Sequence, residues 1–242
     1  MNIKTMIKYQ LNKDVKKPLA AFYGIIFIVL TIMKISSVIG SVSIMEYLSM
    51  GFLFVLGLNS FKNNFKFYQA NAVSRKEQHM GFIILVLIVS LVMAIIDNSY
   101  GFIFSAHDSV FYNLFAPYHY NGISLYCLSV LWSFCMHVMF FTIGYFITLF
   151  YYTVRKTTKI VGSIGLSIIV IGYAAMEYCY KFGYQHNNFG DSYNRFGHWR
   201  QLVITFNCSS YGPYTSIICA LLVTLILTVI TNSMIKKVAL KK

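Results

Sequence analysis

The sequence predicts an all-α, polytopic membrane protein, with about six transmembrane helices and an N-terminal interfacial helix, folded as a single transmembrane domain over residues 1–242. Three observations predict it. First, 57% of the residues are hydrophobic and only 11% are charged, whereas a soluble domain is about 45–50% apolar and about 25% charged. Such a chain has too few polar groups to cover a surface facing water. Second, the apolar residues fall in runs close to the ~20 residues a helix needs to cross hydrocarbon. Third, the cations lie in the gaps between these runs and alternate in density from gap to gap. A net charge of +13 therefore marks membrane topology and not a nucleic-acid surface.

The N-terminal segment opens with Ile3, Ile7, Leu11 and Val15 at every fourth position, with Met6 beside them and Lys8, Lys13, Lys16 and Lys17 around them. That pattern predicts an amphipathic cytoplasmic elbow over 1–18, lying on the inner leaflet and entering the first span at Pro18; a plain basic topology tag is the simpler reading. The first apolar run, Leu19–Ile39, is too long for a signal-peptide core and lacks a small-residue cleavage site. The other spans are expected at Ile44–Phe61, His79–Tyr100, Ser124–Tyr152, Thr158–Tyr180 and Tyr214–Ile235. Of the 20 Lys and Arg residues, only Lys34, Lys181, Arg195 and Arg200 fall on the side opposite the termini. By the positive-inside rule both termini are then cytoplasmic.

The gap 62–78, KNNFKFYQANAVSRKEQ, mixes Phe65, Phe67, Tyr68 and Val73 with Lys66, Arg75, Lys76 and Glu77. Ser74 is placed to cap a helix starting at Arg75, with Glu77 in its first turn. Such a segment either presents aromatics and charges to a soluble partner or is a solvated loop. Two other regions face outward. The stretch from Asp97 to Gly122 has no Lys or Arg, and 181–213 is an aromatic-rich extracellular loop with eight Phe, Tyr and Trp residues, Trp199 among them, suited to the headgroup layer. Cys179 and Cys208 would both be outside, where a disulfide can form; the sequence does not decide whether they pair.

Two polar residues in the spans are candidates for a cargo path. His137, near the middle of the fourth span, either faces a substrate path, relays protons, or is a neutral ring hydrogen-bonded to a neighbouring helix. Asn59, at the inner end of the second, either lines the path or joins two helices. Ser163 and Ser167 form a small-xxx-small pair in the fifth span and predict close helix packing. An intramembrane enzyme is less well supported. H-E-x-x-H is absent, the Gly162-Ser163-Ile164-Gly165 string and His137 lie at different depths, and His186, Asp191 and His198 match no metal-ligand spacing.

Six spans, an amphipathic start, a charged turn after the second span and a long last outer loop resemble the permease subunits of bacterial type 2 ABC transporters. Ala72-Val73-Ser74-Arg75-Lys76, directly before the third span, resembles that family's G-V/A-S/T-R-K stretch, with Asn71-Ala72 standing where Gly is common. The resemblance implies that Ala72, Val73, Ser74, Arg75, Lys76 and Glu77 form or flank a coupling helix docking on an ABC-class ATPase. It also implies a second permease subunit, identical or related, and a multi-pass location in the bacterial plasma membrane. The chain has no G-x-x-x-x-G-K-[ST], so ATP and Mg would be held by the partner and this chain would need no cofactor and no metal of its own. A stand-alone membrane immunity or sensor protein is the alternative with the same topology.

Overall fold

The computed structural model of the chain describes residues 3–35, 41–104, 115, 122–154 and 213–237. These residues are almost all helical, and no strand occurs among them. The helices are α1 (Ile3–Gln10), α2 (Lys16–Ile35), α3 (Ser41–Ser60), α4 (Lys62–Ala70), α5 (Arg75–Phe104), α6 (Gly122–Thr153) and α7 (Pro213–Lys237). The chain divides into two compact units, Met1–Thr153 with Ile217–Lys242, and Val154–Ser216. Five of the six expected spans lie mainly in the described residues and are helical there; the fifth, Thr158–Tyr180, lies outside them, as do Cys179, Cys208 and all of the loop 181–213 but Pro213, the first residue of α7. Among the described residues, three helices are long and apolar enough to cross a membrane: α5, α6 and α7.

The chain does not break at Pro18. Helix runs from Ile3 to Ile35 through a π turn at Leu11–Val15, where the Lys16 N–H reaches back to the Leu11 carbonyl. Pro18 has no N–H to give the Asp14 carbonyl four residues before it, and its ring crowds that carbonyl. The wider π turn lies over this position and lets the helix continue.

The face of α1 is covered by protein. Met6 and Gln10 are buried, as is Val15 beyond them. Met6 clusters with Tyr68 and Val73, and its thioether end occupies the space that a side chain at position 81 would need, so Gly81 makes room for it. The Tyr9 ring stacks on Phe67 at 4.3 Å between centroids, 6° from parallel, and Asn64 donates to Asp14 at 2.7 Å. The contacts with α4 and α5 are thus made by Met6, Tyr9 and Asp14, which lie beside the fourfold stripe and not on it; Ile7 and Leu11 of the stripe are half-buried.

Ring contacts fix the helix directions. Phe22 stacks on Phe52 while Tyr23 approaches Ser49, so α2 and α3 are antiparallel. Tyr23 meets Asp97 and Phe27 meets Tyr100, so α2 and α5 are parallel. Phe82 stacks on Tyr145 at 3.5 Å and Ser99 bonds Tyr126, so α5 and α6 are antiparallel. The core between them is built from Tyr23, Leu53, Phe82, Met93, Phe141 and Tyr145 and their neighbours.

The tightest crossing is α3 on α6, and it depends on two glycines. A Cβ on Gly57 would run into the Phe141 carbonyl, and one on Gly144 into the Phe54 carbonyl. With neither present the backbones touch, and Thr148 donates to the Leu58 carbonyl across the gap at 2.7 Å. Such close approach without bulky side chains is what drives helix association where apolar burial gives no net gain.

Candidate functional site

The turn between α4 and α5 is built by two interlocking caps. At the end of α4, the Val73 N–H bonds the Tyr68 carbonyl at 3.0 Å and the Ala72 N–H bonds the Gln69 carbonyl at 3.2 Å. This is the six-to-one and five-to-two pattern of a Schellman motif, and Val73 closes it by packing on Tyr68. The motif puts the residue after the cap in the left-handed region, and Ala72 is there at φ +53°. Position 72 is therefore one where a Cβ is strained.

At the start of α5 the Ser74 hydroxyl accepts from the Glu77 N–H at 3.2 Å, while the Glu77 carboxylate accepts from the Ser74 N–H at 3.1 Å and from its hydroxyl at 2.8 Å. This reciprocal capping box satisfies two helix-end donors, and Ser74 caps the helix that its position predicts. Asn71, Ala72, Ser74 and Lys76 are exposed at the tip, whereas Val73 is buried beneath.

Arg75 is engaged within the chain. Its guanidinium donates to the Lys236 carbonyl in the last turn of α7, a cation on the negative end of a helix. This bond brings the end of α7 to the start of α5. Phe65 packs edge-on to Tyr152 at the end of α6, and Asp14 is bonded from α4. Lys8, Lys13, Lys16, Lys17, Arg75, Lys76 and Lys236 consequently collect at one end of the bundle. Lys13 donates to the Tyr9 hydroxyl at 2.6 Å, which holds its ammonium pKa above the ordinary value. Burial, with Asp14 nearby, pushes the Tyr68 phenol up.

The two expected cargo-path residues are not brought together. Asn59 is exposed and donates to the Val55 carbonyl of its own helix at 3.0 Å. His137 is fully buried in α6, with Nε2 at 3.5 Å from Asp97 Oδ2. Asp97, the first residue of the stretch expected to face outward, lies within α5, seven residues before its end at Phe104, and its side chain is buried in the bundle interior. The Tyr23 hydroxyl donates to its Oδ1 at 2.9 Å.

No family model matches the chain, and no curated protein and no solved structure matches it either.

Proposed function

We propose that the chain is the permease subunit of a bacterial ABC exporter that moves an amphipathic or hydrophobic cargo (a peptide, lipid or drug) across the plasma membrane, driven by ATP hydrolysis on a separate subunit. The observation that carries this reading is the doubly capped turn at 70–76. It is an exposed, stiff tip placed at the cationic end of a helical bundle, with Val73 anchored below and Lys76 projecting. A force applied there has rigid routes into the membrane: along α5 through the capping box, and into α7 through Arg75. A coupling element needs such a link, because a flexible turn would absorb the motion it is meant to pass on.

The membrane setting is supported by apolar surface that would be costly in water. Ile218, Leu221, Leu222, Leu225, Ile226 and Val229 are all exposed along α7, and Ile25, Ile28 and Ile32 along α2. The cations gathered at one bundle end agree with that end being cytoplasmic. A second permease copy or relative would complete the cargo path, and ATP with Mg would reside on the ATPase pair.

The test is affinity purification of the tagged chain from bacterial membranes, with mass spectrometry of what accompanies it. A P-loop ATPase of the ABC class is expected, and it should be lost with Asn71→Glu/Lys76→Glu while the chain itself stays in the membrane. Arg75 is unsuited to this test, since reversing it also breaks the tie to α7. Absence of any ATPase, under conditions that keep other ABC complexes intact, would overturn the reading in favour of a stand-alone immunity or sensor protein.

A further inference from the structure

Four helices enclose a set of polar groups well inside the bundle. Tyr23 comes from α2, Ser49 from α3, Ser90 and Asp97 from α5, and Ser133 and His137 from α6, all buried. Asp97 and His137 face each other across the α5–α6 contact, and neither side chain has exposed surface. Asp97 Oδ2 and both ring nitrogens of His137 lack an aligned hydrogen-bond partner among the described residues; the other polar neighbour of the ring is the Ser90 carbonyl. Ser49 adjoins both the Tyr23 hydroxyl and the Asp97 carboxyl.

Among the described residues no other cation is at hand. α3 and α6 contain no Lys or Arg, α5 has none beyond Lys76, and α2 carries its lysines near its ends. The titratable groups on the packed helices closest in sequence to the polar set are Tyr23 from α2, Glu46 from α3, which is buried one turn before Ser49, and Tyr100 and Cys135 on the helices of the pair itself; buried His79 and Tyr145 lie further along α5 and α6. Among the described residues, only His137 is placed to balance a charge on Asp97.

We propose that Asp97 and His137 form an intramembrane proton-binding site that holds a single exchangeable proton, and that the bundle is most stable when the site is singly occupied. The argument is a count of charge. With one proton the pair is neutral overall, as carboxylate with imidazolium or as carboxylic acid with imidazole. With none, a carboxylate is left beside a neutral ring; with two, an imidazolium is left beside a neutral acid. An unmatched charge in such a site is costly, whereas a matched pair is tolerated. The two groups therefore titrate as a unit, and loss or gain of a proton loosens the contact of α5 with α6. The site does not depend on an ATPase partner, so it stands or falls separately from the transport reading.

The test uses the full chain in lipid nanodiscs, with thermal unfolding midpoints measured between about pH 4 and pH 9. The wild type should give a bell. Asp97→Asn keeps an acceptor for the Tyr23 hydroxyl and removes the group left bare at high pH, so it should lose the alkaline limb. His137→Gln should lose the acid limb, and the double variant should lose both. Any limb common to all four proteins belongs to Glu46, to His79 or to surface groups. If both single variants keep the wild-type bell, or if both lose the same limb, the proposal fails. Should neither single variant fold, recovery of folded protein in the double variant would uphold the pairing, and a double variant no better than the worse single one would overturn it.

Discussion

At the residue scale the most testable feature is Ala72. A left-handed Ala costs about 1–2 kcal/mol relative to an ordinary conformation, and the Schellman closure at 68–73 requires that conformation whatever residue is there. Ala72→Gly should thus raise the unfolding midpoint, by the equivalent of about 1 kcal/mol once the greater freedom of glycine in the unfolded chain is counted. Ala72→Val, with a branched Cβ in the same place, should lower it. A lower midpoint for the Gly variant would mean that the turn is not left-handed. Ser74→Ala should cost about 1 kcal/mol by removing the cap of α5. Ser74 was legible because capping is written in four consecutive residues. Ala72 was not, because alanine carries no left-handed signal; only its standing where the resembled permease stretch has Gly hinted at a special position. Asp97 was missed for a different reason. It falls near the end of its apolar run, where sequence alone cannot say whether the helix stops, and its partner His137 is 40 positions away on another helix. The histidine could be read as embedded, but the distance to a carboxylate is set by the packing of α5 on α6.

Among the helices, the α3–α6 crossing sets two opposite effects against each other. Gly→Ala inside a helix normally gains about 1 kcal/mol from backbone propensity. At Gly51, on the same helix, an added Cβ meets nothing within 4 Å, so Gly51→Ala should gain stability or hold it. At Gly57 the added carbon meets the backbone at the Phe141 carbonyl and comes within 3.0 Å of the Tyr145 nitrogen. Backbone cannot step aside as a side-chain tip can, so overpacking costing about 1–3 kcal/mol wins. Gly57→Ala should lower the unfolding midpoint and Gly144→Ala should do the same, whereas equal behaviour at positions 51 and 57 would exclude the close crossing. The helices themselves were readable from apolar run length, and the observed boundaries of α3, α6 and α7 agree with the expected spans to within three residues. Which helix pairs with which was not. The sequence drew notice to the small residues Ser163 and Ser167, while the glycines that make the described crossing lie 87 positions apart and share no local pattern. Likewise the spacing of α1 indicated an apolar stripe, while the residues that meet α4, Met6, Tyr9 and Asp14, lie beside that stripe and follow no fourfold pattern.

For the whole molecule, helix directions and charge make one joint prediction. The contacts put the N-terminal helix, the α4–α5 turn and the ends of α6 and α7 together, and leave the starts of α3 and α6 and the end of α5 at the opposite end. Lys and Arg are concentrated at the first of these ends. Translocating that cluster across a membrane is opposed far more strongly than translocating the nearly uncharged start of α6. The end bearing Asn71 should therefore be cytoplasmic and the end bearing Ser124 external. In a cysteine-free background, a membrane-impermeant maleimide added to intact cells should label Ser124→Cys and spare Asn71→Cys, and permeabilised cells should label both. Labelling of Asn71→Cys in intact cells would invert the bundle. It would also remove the proposed coupling tip from the only compartment that holds ATP, so orientation and mechanism are tied to one observation. Labelling of Ser124→Cys alone in intact cells keeps the tip where an ATPase can reach it and leaves the Asp97–His137 pair between the two aqueous phases, where exchange with either would depend on how tightly α5 and α6 close.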